Sequence, residues 1–181
     1  VGDARAVIEA MLNPETWFRR DRAVFDVFAR ELMPALTAAR PGGKVRLWSA
    51  GASTGQEAYS LAILFHEALA RVGSDTLVQI FASDLDPEAV AEARDGIYRE
   101  TKGLSEERLD HYFKREDDVW RVTPTLRGMV TFTVQDVLSD PPFSRLDLLS
   151  CRNVMIYFDN PTKERLIQRF AALKRFAFFR G

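Results

Sequence analysis

The sequence lacks the features that would place this protein outside an ordinary globular class. It has one cysteine in 181 residues, Cys151, which excludes an internal disulfide and is typical of a reducing cytoplasm. No apolar run reaches the ~18 residues needed to span a bilayer, and the N-terminus shows no signal-peptide pattern. The net charge is only −1, which gives no electrostatic case for binding nucleic acid or an anionic membrane. We therefore expect a cytoplasmic domain with no direct membrane insertion.

Patterns of metal ligands and of repeats are also missing. The two histidines, His66 and His111, have no metal-ligand spacing, so we expect no metal and assign both histidines structural or solvated positions. We find no internal repeat and no low-complexity segment. The chain is 46% hydrophobic and 28% charged, which predicts one domain that buries its own core.

The rest of the chain is organised around the stretch from Arg46 to Ala62, RLWSAGASTGQEAYSLA. It begins as an apolar strand, passes through small residues from Ser49 to Gly55, and continues with apolar residues at helical spacing. A strand, a small-residue turn and a helix N-terminus form the usual cofactor corner of an α/β sheet. A plain structural turn is the alternative interpretation.

Two phosphate-binding motifs are absent from this corner. A dinucleotide site needs G-x-G-x-x-G, and the sequence has Gly51-Ala52-Ser53-Thr54-Gly55 instead. A P-loop needs Gly-Lys-Ser/Thr, and Gln56-Glu57 stands there, with negative charge where a phosphate would lie. The corner therefore favours a ligand with a cationic part and no phosphate, such as S-adenosylmethionine, and argues against a dinucleotide-dependent dehydrogenase.

A second strand is predicted from Leu77 to Ala82. Asp86 is placed to cap the following helix, with Pro87 at its first position and Gly96 at its end. Asp84 has no such role, and it stands at the carboxyl end of the strand, where ligands bind in open α/β sheets. Its carboxylate could accept both ribose hydroxyls of a nucleoside, whereas the alternative is a solvated loop aspartate.

Other elements follow from the apolar pattern. Arg22 to Ala39 is predicted to be an amphipathic helix that Pro34 kinks or restarts. Leu146 to Cys151 is predicted to be a buried strand, and the residues from Phe176 to Phe179 could form an edge strand. Asp159-Asn160-Pro161 is predicted to start the last helix.

Four stretches, in the same order, resemble the CheR family of chemotaxis receptor methyltransferases. They are TWFRRD from Thr16, WSAGASTGQEAYS from Trp48, ASDLDPEAVAEARDGIY from Ala82 and SCRNVMIYFD from Ser150. The resemblance implies a Rossmann-like α/β sheet of the class I S-adenosylmethionine-dependent methyltransferases, with a small antiparallel β-subdomain inserted. The implied organisation is an N-terminal helix and active-site segment over residues 1–21, followed by the cofactor-binding domain over 22–181, with the β-subdomain at about 101–130.

The resemblance also implies site residues. Arg20 would hold the acceptor carboxylate, and Tyr157 would donate a hydrogen bond to it. The implied cofactor-binding residues are Thr16, Gly51, Glu57, Asp84, Asp136, Val137, Cys151, Arg152 and Asn153. This sequence departs from the family at Pro14, at Arg19, which stands for an aromatic residue, and at Asp136-Val137, where Asn-Leu is usual.

The implied activity is methyl transfer from S-adenosylmethionine to glutamate side chains of chemoreceptors or similar sensory proteins. The products would be a methyl ester and S-adenosylhomocysteine. The partners would be the cytoplasmic domains of those receptors, and we expect a monomer. The short loop from Lys114 to Asp118 favours a member that does not bind a receptor tail peptide. The alternative is a regulatory module of a sensory protein that binds S-adenosylmethionine or its demethylated product with weak or no catalysis.

Overall fold

A computed structural model describes residues 16–20, 22–27, 29–30, 33–38, 42–152, 154–155, 158–172 and 177–179. Residues 1–15, which include Pro14 and in which the sequence predicts an N-terminal helix, lie outside these residues, as do Asn153 and Tyr157.

A parallel sheet forms the centre of the molecule. Its described strands are β1 (Lys44–Ala50), β2 (Leu77–Asp84), β6 (Val130–Val134), β7 (Leu148–Ser150) and β8 (Ala177–Phe179). Their order is β6-β2-β1-β7-β8, and every neighbouring pair is parallel. The chain moves outward from β1 on one side and later returns to β7 on the other, so the strand order reverses between β1 and β7. In open α/β sheets, a crevice for ligands forms at such a reversal, at the carboxyl ends of the strands.

Helices cover both faces of this sheet. One face packs against α3 (Gln56–Val72) and α4 (Pro87–Asp95), and the other against α7 (Asn160–Ala171). The alternating side chains of β1 explain the two layers, because Val45 and Leu47 join the first core cluster while Trp48 joins the second. This architecture confirms the predicted fold class.

A small antiparallel sheet is inserted between α4 and β6. It consists of β3 (Ile97–Tyr98), β4 (Phe113–Glu116) and β5 (Val119–Val122), in the order β3-β5-β4. Two short helices accompany it, α5 (Glu106–Tyr112) and α6 (Pro124–Arg127). The small sheet therefore begins at Ile97, a few residues before the predicted insert.

Several elements differ from the sequence prediction in their bounds. In the helix predicted from Arg22 to Ala39, the described residues form two α-helical stretches, α1 (Arg22–Val27) and α2 (Met33–Ala38), with residues 29–30 between them in π-helical conformation. Pro34 lies in the first turn of α2, where a missing N–H costs no helical hydrogen bond. The predicted Asp86 cap is confirmed, because its side chain accepts a backbone N–H at the start of α4. The last helix, α7, also starts where predicted, and the side chain of Asp159 caps it in the same way. The edge strand also forms, as β8 beside β7.

Candidate functional site

The turn after β1 is bound to the end of β2. The backbone N–H groups of Gly51 and Ala52 both donate to the carbonyl oxygen of Ser83, at 2.8 and 2.9 Å. The N–H of Ser53 donates to the Oδ2 of Asp84 at 2.7 Å. The small-residue turn therefore lies across the carboxyl ends of two neighbouring strands, where the sequence predicts a cofactor corner.

Packing explains both glycines of this turn. Gly51 has φ 75°, and a Cβ there would lie 2.3 Å from the Cγ2 of Val154. Gly55 has φ 93°, and its Cβ would lie 2.9 Å from the Cβ of Ala93 on α4. Glycine is thus needed here for its positive φ and for close contact with neighbouring protein segments.

Glu57, on the first turn of α3, is the centre of a buried polar network. Its Oε1 accepts hydrogen bonds from the hydroxyls of Ser49 at 2.9 Å and Ser150 at 2.8 Å. Its Oε2 lies 3.5 Å from the Nη1 of Arg152, and the side chains of Glu57 and Arg152 are only 14% and 1% exposed. Burial raises the pKa of the Glu57 carboxyl, and the nearby guanidinium of Arg152, the two serine hydroxyls and Arg20 oppose that rise.

The segment from Thr16 to Arg20 is tied to this network. Arg152 donates from Nη2 to the carbonyl oxygen of Arg20 at 3.0 Å, across 132 positions of sequence. The side chain of Phe18 is fully buried and packs edge-on against the rings of Tyr98 and Phe113. The Arg20 guanidinium lies 4.9 Å from the ring centroid of Trp17 and is near enough to Glu57 to influence its pKa. The predicted acceptor residue Arg20 therefore lies close to two of the predicted cofactor residues, Glu57 and Arg152.

Arg19 contributes to the position of this segment. It adopts φ 51°, its N–H donates to the hydroxyl of Ser60 at 2.9 Å, and its guanidinium forms an ion pair with Asp26 on α1. The arginine side chain, at a position where the resemblance implies an aromatic residue, is thus accommodated by a charged partner on α1, while the Ser60 hydroxyl holds only the backbone.

Asp84 stands at the end of β2, as the sequence predicts. Its Oδ1 accepts the N–H of Asp86 at 3.1 Å and its Oδ2 accepts that of Ser53. Burial raises the pKa of its carboxyl, and the backbone hydrogen bonds oppose this. Each carboxylate oxygen has two lone pairs, so the group retains capacity for further donors such as ribose hydroxyls.

Asp136 has a different environment. Its Oδ1 accepts the N–H of Leu138 and its Oδ2 accepts the hydroxyl of Ser139, both at 2.9 Å. The carboxylate thus folds back on the turn after β6, and this local role is one that sequence reasoning missed. The adjacent Val137 packs against the core cluster on the α7 side of the sheet.

Cys151 follows β7 and is buried in the same cluster. Burial, and to a smaller extent the nearby Glu57, raise the pKa of its thiol to about 12. The side chain is therefore a neutral core group at physiological pH, and only its backbone is left for a cofactor contact.

Thr16 lines a cavity of about 380 Å³ beside the start of α3, together with Thr54 and Gln56. A larger groove, of about 1430 Å³, lies between α3 and α5 and is lined by both histidines. There the Nδ1 of His66 is 3.0 Å from the hydroxyl of Tyr112, which supports a structural role for this histidine. None of the residues that line the larger groove belongs to the carboxyl ends of β1, β2 or β7, so we place the site at the corner on topological grounds.

Sequence reasoning missed Ser49 and Ser150. The two serines are directly opposed in the register of β1 and β7, and both hydroxyls reach Glu57. A polar residue at the carboxyl end of each of two apolar strands was an available signal. Among the described residues, no group of three histidine, cysteine, aspartate or glutamate side chains is placed to hold a metal ion.

Solved structures with similar folds include methyltransferases. Magnesium protoporphyrin IX methyltransferase from Synechocystis, solved with bound SAM, is 16% identical, with 84% of this chain and 55% of that one covered and a TM-score of 0.42. A putative S-adenosyl-L-methionine-dependent methyltransferase from Methanococcus maripaludis is 12% identical, with 98% and 62% covered and a TM-score of 0.47.

Sequence relatives are closer. The chemotaxis protein methyltransferase of Salmonella typhimurium is 38% identical over 93% of this chain, and that of Escherichia coli 36% over 95%. The chain spans 59% and 60% of the length of these two proteins. An uncharacterized 104.1 kDa protein of Rhodobacter capsulatus is 38% identical over 88% of this chain, which corresponds to 17% of that protein.

The match to a family model covers most of the chain. The model describes the SAM-binding domain of CheR methyltransferases, and it matches residues 14–175. The matched range contains the turn after β1, the Glu57 network, Asp84 and Arg20. Together with the parallel sheet and its reversal between β1 and β7, this match shows that the chain belongs to the CheR methyltransferase family, as its S-adenosylmethionine-binding domain.

Proposed function

We propose that the domain transfers the methyl group of S-adenosylmethionine to glutamate side-chain carboxylates of chemoreceptors or related cytoplasmic sensory domains. The proposal rests mainly on one observation: a buried carboxylate and two arginines, Glu57, Arg152 and Arg20, lie together at the cofactor corner. This set combines both signs of charge in a small volume. It matches a ligand that carries an ammonium and a carboxylate, and it offers a further cation to an acidic acceptor.

The described residues fit S-adenosylmethionine. Glu57 would hold the ammonium, Arg152 would neutralise the carboxylate of the methionine part, and Asp84 would accept the ribose hydroxyls. For Asp136 and Val137, we propose contact with the adenine through the turn after β6. Thr16, Gly51 and Cys151 complete the described part of the proposed cofactor set, with Cys151 acting through its backbone. Asn153, which lies outside the described residues, is also part of the proposed set.

Arg20 is the proposed clamp for the acceptor, since a guanidinium offers paired donors that match a carboxylate. Tyr157 is proposed to donate to the other acceptor oxygen. A free glutamate has a pKa of about 4.3, so the acceptor is already ionised at neutral pH and no general base is needed. The protein's contribution is then mainly to desolvate the carboxylate and align it.

Methyl transfer from the bound cofactor would need neither a proton nor an oxidant, because an O–C bond would form as the C–S bond breaks. The electron pair of the C–S bond would remain on sulfur. The chain's own residues must exclude water and hold the acceptor oxygen in line. The placement of Arg20 by Arg152, through its backbone carbonyl, serves that alignment.

The role of Arg20 is tested by two measurements on one Arg20→Ala preparation. Cofactor affinity is measured by calorimetry, and single-turnover transfer is measured with a receptor cytoplasmic fragment. We expect affinity to be largely kept and transfer to be lost. Equal losses in both would assign Arg20 to the cofactor carboxylate instead.

A second function has one specific observation in its favour. The relative in Rhodobacter capsulatus is a 104.1 kDa protein, of which this chain corresponds to 17%. The domain could therefore serve as a module that binds S-adenosylmethionine or S-adenosylhomocysteine and regulates a larger sensory protein. Calorimetric binding of both compounds, without transfer to any receptor fragment, would favour this function.

A further inference from the structure

The loop from Thr101 to Leu104 lies directly on the segment that carries Arg20. Gly103 has φ 96°, and a Cβ at this position would come within 1.9 Å of the carbonyl oxygen of Phe18. No other residue type fits so close to a backbone atom without a shift of the chain. The position of Lys102 is therefore coupled to the position of Trp17 and Arg20.

Lys102 and Arg20 contact the same aromatic ring. The Nζ of Lys102 lies 4.6 Å from the ring centroid of Trp17, and the Cζ of Arg20 lies 4.9 Å from it. The Nζ of Lys102 and the Cζ of Arg20 therefore lie no farther apart than the sum of these two distances. Both contacts lie within the range of a cation–π interaction, which orients each cation on the half-buried indole.

The ammonium of Lys102 is available to a ligand. Its side chain is exposed, and it forms no ion pair with any residue that the structure describes. Lys102 lines the cavity of about 380 Å³, and so do Glu92 and Glu100, but neither glutamate forms an ion pair with Lys102. By contrast, Arg108 has a bidentate carboxylate partner in Glu67, at 2.7 Å for both bonds.

We propose that Lys102 is a specificity-determining residue that binds a second carboxylate of the acceptor, close to the glutamate held at Arg20. This proposal rests on the proposed methyl transfer. On a helical acceptor, side chains three or four residues apart are neighbours on one face, so two acidic side chains one turn apart could reach the two cations together. Because Lys102 is exposed, its interaction is expected to weaken with salt.

A purely structural role for Lys102 makes a different prediction. Its alkyl stem would then only cover the indole of Trp17, and its charge would not matter. A Lys102→Met variant keeps most of that stem and removes the charge, while Lys102→Arg keeps the charge. These two variants therefore separate recognition by charge from simple packing.

The test compares acceptor fragments that share one target glutamate. In each fragment, one other glutamate within a helical turn of the target is replaced by glutamine. We expect the wild type to favour the fully acidic fragment by about two- to fivefold in KM at low salt, with similar kcat, as for one exposed ion pair. Lys102→Met should lose this preference, Lys102→Arg should retain it, and cofactor affinity should be the same in all three proteins.

An unchanged preference in Lys102→Met would overturn the proposal. Calorimetric binding of the same fragments, in the presence of S-adenosylhomocysteine, separates this failure from that of the proposed function. If no protein transfers a methyl group but the binding preference disappears in Lys102→Met alone, the methyl-transfer proposal fails and the assignment of Lys102 stands. If the wild type neither transfers to the acidic fragment nor prefers it in binding, both fail.

Discussion

At the scale of single residues, Glu57 has the least ordinary environment in the site. Two serine hydroxyls and a buried guanidinium surround its carboxylate, yet burial still raises its pKa. An ammonium ligand binds the ionised form of such a group. If Glu57 holds the ammonium of the cofactor as proposed, its carboxylate must be deprotonated for binding. The pKa of Asp84, the proposed partner of the ribose hydroxyls, is also raised by burial.

The pH dependence of cofactor affinity follows from the upward shift of the Glu57 pKa. As pH falls from neutral through the raised pKa of Glu57, the carboxylate is neutralised and its attraction for an ammonium is lost, at a higher pH than for an ordinary glutamate. We expect affinity for S-adenosylmethionine to fall over that range in calorimetric titrations. Glu57→Gln should weaken binding at neutral pH by about 1–3 kcal/mol and flatten the dependence.

The matched control is Glu88→Gln, which removes an exposed carboxylate on the first turn of α4. Only the backbone N–H of Glu88 takes part in the Asp86 cap, so the substitution leaves the cap in place. It should leave both the affinity and its pH dependence unchanged. A pH profile of the Glu57→Gln protein that coincides with that of the wild type would show that another group controls binding.

At the scale of elements, the local signals of the sequence were sufficient for most helices and strands. The Asp86 cap, Pro87 and Gly96 predicted the bounds of α4 because each acts within a few residues of itself. The hydrogen bond between Ser150 and Glu57 joins residues 93 positions apart, and it depends on the register of β1 and β7. No local pattern encodes that register, so the sequence could show each serine at the end of an apolar strand but not the contact of both hydroxyls with Glu57.

The same distinction applies to the turn after β1. The sequence predicted that Gly51 permits a tight turn, but its contact with Val154 comes from a distant segment that folds over the corner. Asp136 shows the reverse, because the resemblance implied a cofactor contact while the structure shows its carboxylate binding its own turn. Such a choice between local and ligand hydrogen bonds cannot be made from residue type.

Substitution of Gly51 tests the packing of this turn. Gly51→Ala would combine an unfavourable positive φ with a Cβ 2.3 Å from Val154, so we expect it to lower the free energy of unfolding by about 2–4 kcal/mol. Gly73→Ala, at the end of α3, is the matched control: its φ of 60° is also positive, but no atom lies within 4 Å of the added Cβ. It should cost only about 1–2 kcal/mol. Urea denaturation measures both, and equal costs would show that Val154 moves freely aside.

The hairpin of the small sheet supports a prediction about receptor tails. The loop predicted from Lys114 to Asp118 is shorter in the structure, because Lys114 to Glu116 pair with β5 as part of β4 and a turn of two residues, Asp117-Asp118, joins the strands. This acidic turn offers little surface for a peptide strand or for a C-terminal carboxylate. We expect no tight binding of a receptor C-terminal peptide in calorimetry, and a dissociation constant in the micromolar range or below would contradict this.

At the scale of the whole molecule, the parallel sheet brings four separate stretches together at the carboxyl ends of its strands. The segment around Arg20, the turn after β1, the end of β2 and the end of β7 meet there, although they are spread from Thr16 to Arg152. None of the helices in the described part of the chain has the length and apolar character needed to cross a membrane. The chain spans about 60% of the length of the chemotaxis methyltransferases of Salmonella typhimurium and Escherichia coli.

The central proposal is that the residues at the carboxyl ends of these strands catalyse formation of a glutamate methyl ester. The most direct measurement incubates the protein with methyl-labelled S-adenosylmethionine and a chemoreceptor cytoplasmic fragment, and then treats the labelled fragment with mild alkali. We predict that the fragment becomes labelled and that alkali releases the label as volatile methanol, because carboxylate methyl esters hydrolyse under these conditions. An unlabelled fragment, or a label that resists alkali, would contradict the account.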